Sequence, residues 1–272
     1  MADRNSTTTA IILTVQEQGE NNRSVCAFSA DLGIFYATLY GGAKSKMRAL
    51  VQPFNSGKLW LYTDEIRHTR KISDFDVTNC HPTLRTSLYK MWAANLAAEL
   101  VLKTKGAGDD KGSYRLLSAY LDGIDASDEN NARLGTIRFL WRYLGLLGVC
   151  PEVHFCVQCG KNLFSDSSSS QASTAHLLDT STAYVMYFTT LNGFVCGDCL
   201  QSFDDAGKKN GFVVSQDALT YLAAINDLSP GQVRSLSISA SAAYEMKRLV
   251  FTLIENAACC KLKSLESGLG IL

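Results

Sequence analysis

Histidine and proline each occur only four times in these 272 residues, tryptophan three times, and the formal net charge is zero. The shortage of histidine removes one class of enzyme at once. His68, His81, His154 and His176 form no His-x-x-x-His pair, the arrangement that puts two imidazoles on one helix face for a hydrolytic metal. No Gly-x-Ser-x-Gly nucleophile elbow is present either. The nearest approach to a phosphate loop is Gly41-Gly42-Ala43-Lys44-Ser45, where Ala43 and Thr38 stand at the two positions that require glycine, so no nucleotide is expected. The carboxylate pairs Asp109-Asp110 and Asp204-Asp205 sit beside glycine and lysine in loop-like contexts and read as solvated groups. No enzyme is expected. Long apolar runs are also missing: the best, Phe139 to Cys150, is short and contains Arg142, which excludes a transmembrane span. The start, with Asp3 and Arg4, lacks the basic-then-apolar layout of a secretory signal, so a cytoplasmic protein is expected. Zero net charge gives no general attraction to nucleic acid, and any such surface must be local.

What is present is an ordinary globular composition, 46% hydrophobic and 19% charged, with nine cysteines. Basic residues concentrate early. Between Gly41 and Lys71 stand Lys44, Lys46, Arg48, Lys58, Arg67, Arg70 and Lys71, against only Asp64 and Glu65. A single lysine or arginine is more often a solvated surface charge; the clustering is what suggests a phosphate-tracking surface.

Residues 10 to 78 read as β-branched and aromatic runs punctuated by turns: Ala10 to Val15, Val25 to Ser29, Ile34 to Tyr40, Arg48 to Phe54 and Lys58 to Thr63. Five or six strands in a stretch this short suit an oligonucleotide-binding (OB-fold) barrel. Phe35, Tyr36, Tyr40, Trp60 and Tyr62 lie on these strands. Because side chains alternate, one parity can meet a ligand while the other fills the barrel. At His81-Pro82 the pattern changes and a helix is predicted to begin. Leu84, Leu88, Met91, Trp92, Leu96 and Leu100 form its apolar stripe, with further helices at Tyr114 to Ile124 and Asn131 to Leu147. Helical spacing returns behind caps at Ser215 and Ser229-Pro230, and Ala243, Met246, Val250, Leu253 and Ile254 mark the longest helix.

Cys156-Val157-Gln158-Cys159 and Cys196-Gly197-Asp198-Cys199 are two half-sites whose two-residue gaps let both thiolates of each pair face one ion. Four thiolates close a tetrahedral shell, which predicts a structural rather than a catalytic zinc. The 36 residues between the pairs exceed the usual template, and the Ser-rich run Ser165 to Thr174 accounts for the excess as a surface loop. His154 is the nearby substitute ligand. Cys26, Cys80, Cys150, Cys259 and Cys260 read as small buried hydrophobes. The expected architecture is α+β: an N-terminal five-stranded OB-fold barrel over 1–80, a helical domain over 81–150 plus 212–266, and a four-cysteine zinc-finger module over 151–211 that interrupts it.

Several landmarks in one order resemble the RecO family of DNA repair and recombination mediators. Gly41-Gly42-Ala43-Lys44-Ser45-Lys46 followed by Leu50-Val51-Gln52-Pro53-Phe54 looks like its basic loop and "L-Q-P-F" strand. Phe139 to Glu152 resembles its helix ending in "L-L-G-x-x-P", the two cysteine pairs match its knuckles, and Lys261-Leu262-Lys263-Ser264 matches a basic "L-K-S" near its end. The resemblance implies a non-enzymatic, nucleoid-associated protein that binds single- and double-stranded DNA and anneals complementary strands. It further implies that the protein works with RecR and single-stranded-DNA-binding protein to load RecA. It also implies that the helical domain receives the acidic tail of single-stranded-DNA-binding protein, for which Arg133, Arg138 and Arg142 are the candidate cations. Two other readings remain at this stage. One is a zinc-stabilised protein-interaction adaptor without direct DNA binding. The other is a thiol oxidoreductase, which would need a reducible Cys156-Cys159 pair in place of metal.

Overall fold

The first five strands close on themselves around one shared apolar interior. In the computed structural model, which describes residues 4–42, 44–164 and 184–268, they are β1 (Asn5–Gln18), β2 (Asn22–Ser29), β3 (Gly33–Tyr40), β4 (Ser56–Asp64) and β5 (Thr69–Asn79). They form a closed barrel in the order β1-β2-β3-β5-β4, with β3 and β5 parallel and the other neighbours antiparallel, the order of an OB-fold. Ile12, Val25, Ala27, Phe35, Leu39, Leu59, Leu61, Ile72 and Phe75 pack inside. Gly57 is required where β4 bulges against β5, because a Cβ there would meet the Asp76 carbonyl oxygen at 2.0 Å.

One predicted strand is not a strand. The stretch Arg48 to Phe54 is occupied instead by helix α1 (Lys46–Leu50) and a turn. Met47 and Val51, four residues apart, fall on one helical face and close the end of the barrel. Pro53 and the left-handed Phe54 (φ 68°) break the extended path, and the Asn55 amide donates to the Leu50 carbonyl at 2.8 Å. The "L-Q-P-F" segment is therefore a helix end and turn. The fifth strand is β5, which the enumerated apolar runs did not contain. Its inward residues Ile72 and Phe75 are three apart, because the β4–β5 register shifts at Trp60/Leu61 and destroys the two-residue period.

The chain divides into two compact units, Met1–Phe139 with Ala258–Leu272, and Leu140–Ala257. In the first, Pro82 opens only a 3-10 turn (Pro82–Arg85). The long helix α2 (Leu88–Lys103) starts six residues later, where Ser87 Oγ accepts the Lys90 N–H. His81 ties the barrel to the helices: one ring nitrogen lies 2.7 Å from the Phe54 carbonyl and the other 2.8 Å from Asp122 on α3 (Asp110–Ala126). The helix α4 (Glu129–Leu146) follows, and Tyr89 and Tyr120 both bond Thr136 on it.

In the second unit a three-stranded sheet has the order β7-β6-β8, with β6 (Tyr184–Phe188), β7 (Gly193–Val195) and β8 (Gly211–Ser215). Short helices α5 (Gly197–Leu200) and α6 (Asp205–Lys208) lie between β7 and β8. Then come α7 (Gln216–Asp227), capped by Ser215, α8 (Pro230–Arg234), opened by a capping box at Ser229, and α9 (Ala240–Ala258). The last helix, α10 (Lys263–Ser267), belongs to the first unit. There Glu99 accepts the N–H groups of Lys263 and Ser264, and Trp92 Nε1 donates to the Ser264 carbonyl at 2.6 Å. The "L-K-S" segment is thus a docking point on α2. The Ser-rich run 165–174 lies outside the described residues. Among the described residues no helix is long and apolar enough to cross a membrane.

Candidate nucleic-acid interface and metal centre

Strand parity sorts the aromatic candidates. Phe35 is inside the barrel; Tyr36 and Tyr40 point out of β3, the latter 57% exposed, and Trp60 and Tyr62 point out of β4. Register then sets them side by side, since Thr38 is opposite Lys71 and Lys71 is opposite Tyr62 across β3, β5 and β4. The Lys71 ammonium sits 6.0 Å from the Tyr40 ring centroid and 5.7 Å from that of Tyr62, and Lys58 sits 5.1 Å from that of Trp60. A cation between outward-facing rings, here the exposed Tyr40 and the half-buried Tyr62, can hold a phosphate while the rings offer flat faces to bases. Arg4, in a segment read from sequence as lying before the first strand, donates to the Tyr62 hydroxyl at 3.3 Å. No motif signalled it, because β1 starts five residues earlier than its apolar run.

The seven basic candidates do not form one patch. Because β3 and β5 are parallel, the segment leaving β3 with Lys44 and Lys46 and the β4–β5 hairpin carrying Arg67 lie toward opposite ends of the shared face. Lys44 and Lys46 are exposed, as is Arg67, whose nearest acid is Asp64 at 4.0 Å. Arg70 turns over the Phe35 ring at 5.6 Å. Lys58 faces Asp76 across the β4–β5 ladder, so that end of the face is partly neutralised.

Arg48 differs from the rest. Only 14% of its side chain is exposed, and it pairs with Glu17 at 2.5 Å; Glu17 also pairs with Arg23 at 2.9 Å, and Arg23 donates to the Arg48 carbonyl at 3.3 Å. The hydrogen bond and charge of the Arg23 guanidinium, helped by Arg48, hold the Glu17 carboxyl below its ordinary pKa, with desolvation opposing. This network fastens α1 to the β1–β2 hairpin. Arg48→Ala should therefore reduce DNA affinity without changing the slope of log affinity against log salt. Loss of a true phosphate contact lowers that slope by about 0.7 on single strands. A salt titration giving a reduced slope would return Arg48 to the contact set.

The four cysteines converge although β6, β7 and many other residues lie between the pairs. Their sulfur atoms all lie within 4.8 Å of one another, and the group could hold a metal ion. The first knuckle is a tight turn closed by the Gly160 N–H on the Cys156 carbonyl, with Gly160 at φ 70°. The second begins α5 at Cys196. Burial raises the Cys156 thiol, but N–H groups of Cys196, Cys159 and Gln158 directed at its sulfur outweigh this and bring it to about 7. The Cys159 and Cys196 thiols push Cys199 up to about 12. Met186, Phe188, Val195 and Leu200 pack around the cluster. His154 is not part of it: its Nε2 lies 3.2 Å from Asp227 and its ring lies tilted against that of Phe164. Of the remaining cysteines, Cys26 is buried, whereas Cys80, Cys259 and Cys260 are exposed.

The α4 arginines do not share a face. Arg133 and Arg142 are nine residues apart, half a turn out of phase on a helix. Arg133 pairs with Glu129 at 2.8 Å and covers the Tyr89 ring, and Arg138 is buried at 9% exposure. Arg142 lines a cleft of about 430 Å³ with Trp141, Cys150, Pro151, Glu152, Ile225 and Asn226.

Residues 1–81 match the family model described as Recombination protein O N terminal, and residues 85–266 match Recombination protein O C terminal. Curated proteins similar to this chain include DNA repair protein RecO of Syntrophotalea carbinolica, 24% identical over 203 residues, covering 74% of this chain and 71% of the relative. The same protein of Exiguobacterium sp. is 27% identical over 155 residues, covering 56% and 61%, and that of Heliobacterium modesticaldum 27% over 156 residues, covering 56% and 55%. The match spans less than two thirds of the latter two relatives.

Proposed function

Because this chain belongs to the RecO family of DNA repair and recombination proteins, whose members are non-enzymatic mediators, we propose that it binds single- and double-stranded DNA through its barrel and anneals complementary strands. The observation that carries this reading is the outward row of Tyr40, Lys71 and Tyr62, continued by Trp60 and Lys58 and flanked by the exposed Lys44 and Lys46. Rings stack on unpaired bases of any identity, and lysines release counterions from phosphates, so the site is tolerant of sequence and sensitive to salt. DNA binding is assigned to residues 1–80, the ion to 151–211, and protein docking to the helical segments. RecR and single-stranded-DNA-binding protein are the partners in this reading. Arg142 is the cation best placed for an acidic tail, since it borders a cleft.

Zinc is the ion that suits the cysteine cluster. A zinc ion with bonds of about 2.3 Å to four thiolates has sulfur–sulfur edges of about 3.8 Å, and Cys159 and Cys196 already stand 3.8 Å apart. Four thiolates leave no position for water, so the ion would hold the module together and take no part in a reaction.

The deciding experiment is strand annealing of complementary oligonucleotides across a salt titration. Tyr40→Leu with Tyr62→Leu should weaken single-strand binding by about 1–3 kcal/mol per lost stack and spare duplex binding. Equal losses on both substrates would remove base stacking from the reading.

A further inference from the structure

Among the described residues strand β8 is an edge of the β7-β6-β8 sheet, and its side away from β6 borders a cleft of about 390 Å³ shared with α9. Ser215, at the end of β8, donates its N–H outward to Glu245 Oε2 at 2.8 Å. Outward and inward N–H groups alternate along a strand, so those of Val213 and Gly211 also face away from β6. On the opposite wall Ser241, Tyr244, Glu245 and Arg248 recur at three- and four-residue spacing and form one stripe of α9. Val213 is 53% exposed and Tyr244 57%. The Arg248 guanidinium lies 6.0 Å from the ring centroids of both Tyr244 and Phe212, and no carboxylate pairs with it among the described residues. The acid of the stripe, Glu245, is already engaged by Ser215.

We propose that the β8 edge and the Tyr244–Arg248 stripe receive an extended acidic peptide from a partner protein by strand addition. The peptide's backbone pairs with Gly211 and Val213, an apolar side chain rests on Val213 and Tyr244, and an aspartate or glutamate pairs with Arg248. Three features select this occupant. The open backbone row demands an extended chain. The exposed apolar pair accepts an uncharged side chain, and the lone guanidinium between two rings requires a carboxylate. Nothing in this assignment depends on the barrel's DNA face.

The test uses the full-length protein and fluorescence anisotropy. The probe is an end-blocked hexapeptide alternating valine and aspartate; its valine–lysine counterpart and an N-methylated version of the acidic peptide are the comparisons. Saturable binding of the acidic probe below about 1 mM is expected, with no saturation by either comparison peptide. Arg248→Glu should weaken the acidic probe about tenfold to a hundredfold. Val213→Pro should abolish binding while preserving the fold, because the proline replaces an N–H that faces away from β6. N-methylation needs no protein variant and removes only the backbone donors of the probe. Equal binding of the N-methylated or the lysine probe overturns the proposal, as does no binding of the acidic one. It falls as well if Arg248→Glu spares the probe, since the acidic peptide would then sit elsewhere, as at the Arg142 cleft, and a parallel loss of single-stranded oligonucleotide would give the surface to nucleic acid. Self-association that Val213→Pro abolishes would give the edge to a second copy and likewise overturn it.

Discussion

Protein carrying Lys44→Glu and Lys46→Glu will lose strand annealing while its helical signal and metal content stay at wild-type levels. Both side chains are exposed and belong to none of the ion pairs that hold the loop, which rest on Arg48, Glu17 and Arg23. Reversing them therefore alters the ligand surface and not the fold. Each charged hydrogen bond to a phosphate is worth about 1.5–3 kcal/mol, so losing two predicts a fall in affinity of about a hundredfold or more. The neutral pair Lys44→Ala with Lys46→Ala should lower the single-strand salt slope by about 1.4, the sum for two phosphates. Annealing at the wild-type rate by the charge-reversed protein in moderate salt would place the DNA site away from this loop. The barrel would then be a protein-docking module, the adaptor reading.

The second large effect is expected at the cysteines. Cys156→Ser or Cys196→Ser should release the ion and melt β6, β7 and β8, leaving the barrel intact. Among the described residues the apolar side chains packed around the cluster are few, Met186, Phe188, Val195 and Leu200 with Leu163 and Phe203 beside them. In small sites of this type, metal binding of about 10–16 kcal/mol supplies the folding free energy that such a core lacks. Protection from hydrogen exchange should therefore collapse in residues 184–215 and persist in β1 to β5, and a strong chelator should reproduce the pattern. His154→Ala should keep the metal, since His154 pairs with Asp227 outside the thiolate cluster. Absence of zinc from freshly purified protein, or a Cys156–Cys159 disulfide there, would refute the structural-zinc assignment.

Much of this protein was legible along the chain. The paired Cys-x-x-Cys spacing singled out the four cysteines, because a two-residue gap converges the two thiolates of a pair, and the fold then brought the two pairs together. The change of period at His81-Pro82 separated strands from helices. The caps at Ser215 and Ser229 marked true helix starts, since capping is settled within four residues. Order of motifs, rather than any one of them, carried the family resemblance that the matches over 1–81 and 85–266 bear out.

What needed the tertiary structure were the features set by neighbours distant in sequence. The run Arg48 to Phe54 has strand composition, yet Met47 and Val51 are drawn onto the barrel end as a helix because a closed barrel leaves its apolar mouth to be covered. Strand β5 was hidden because the bulge that breaks its two-residue period is a property of its pairing with β4. Composition grouped seven cations, but strand direction and the Glu17 pair dispersed them: Arg48 became a fastening, and Lys44 and Arg67 went to different ends of the face. For the aromatics, the sequence offered two parities of equal standing. Closure of the barrel chose between them, turning Phe35 into core and Tyr40 and Tyr62 into surface, because only one side of each strand can be buried inside.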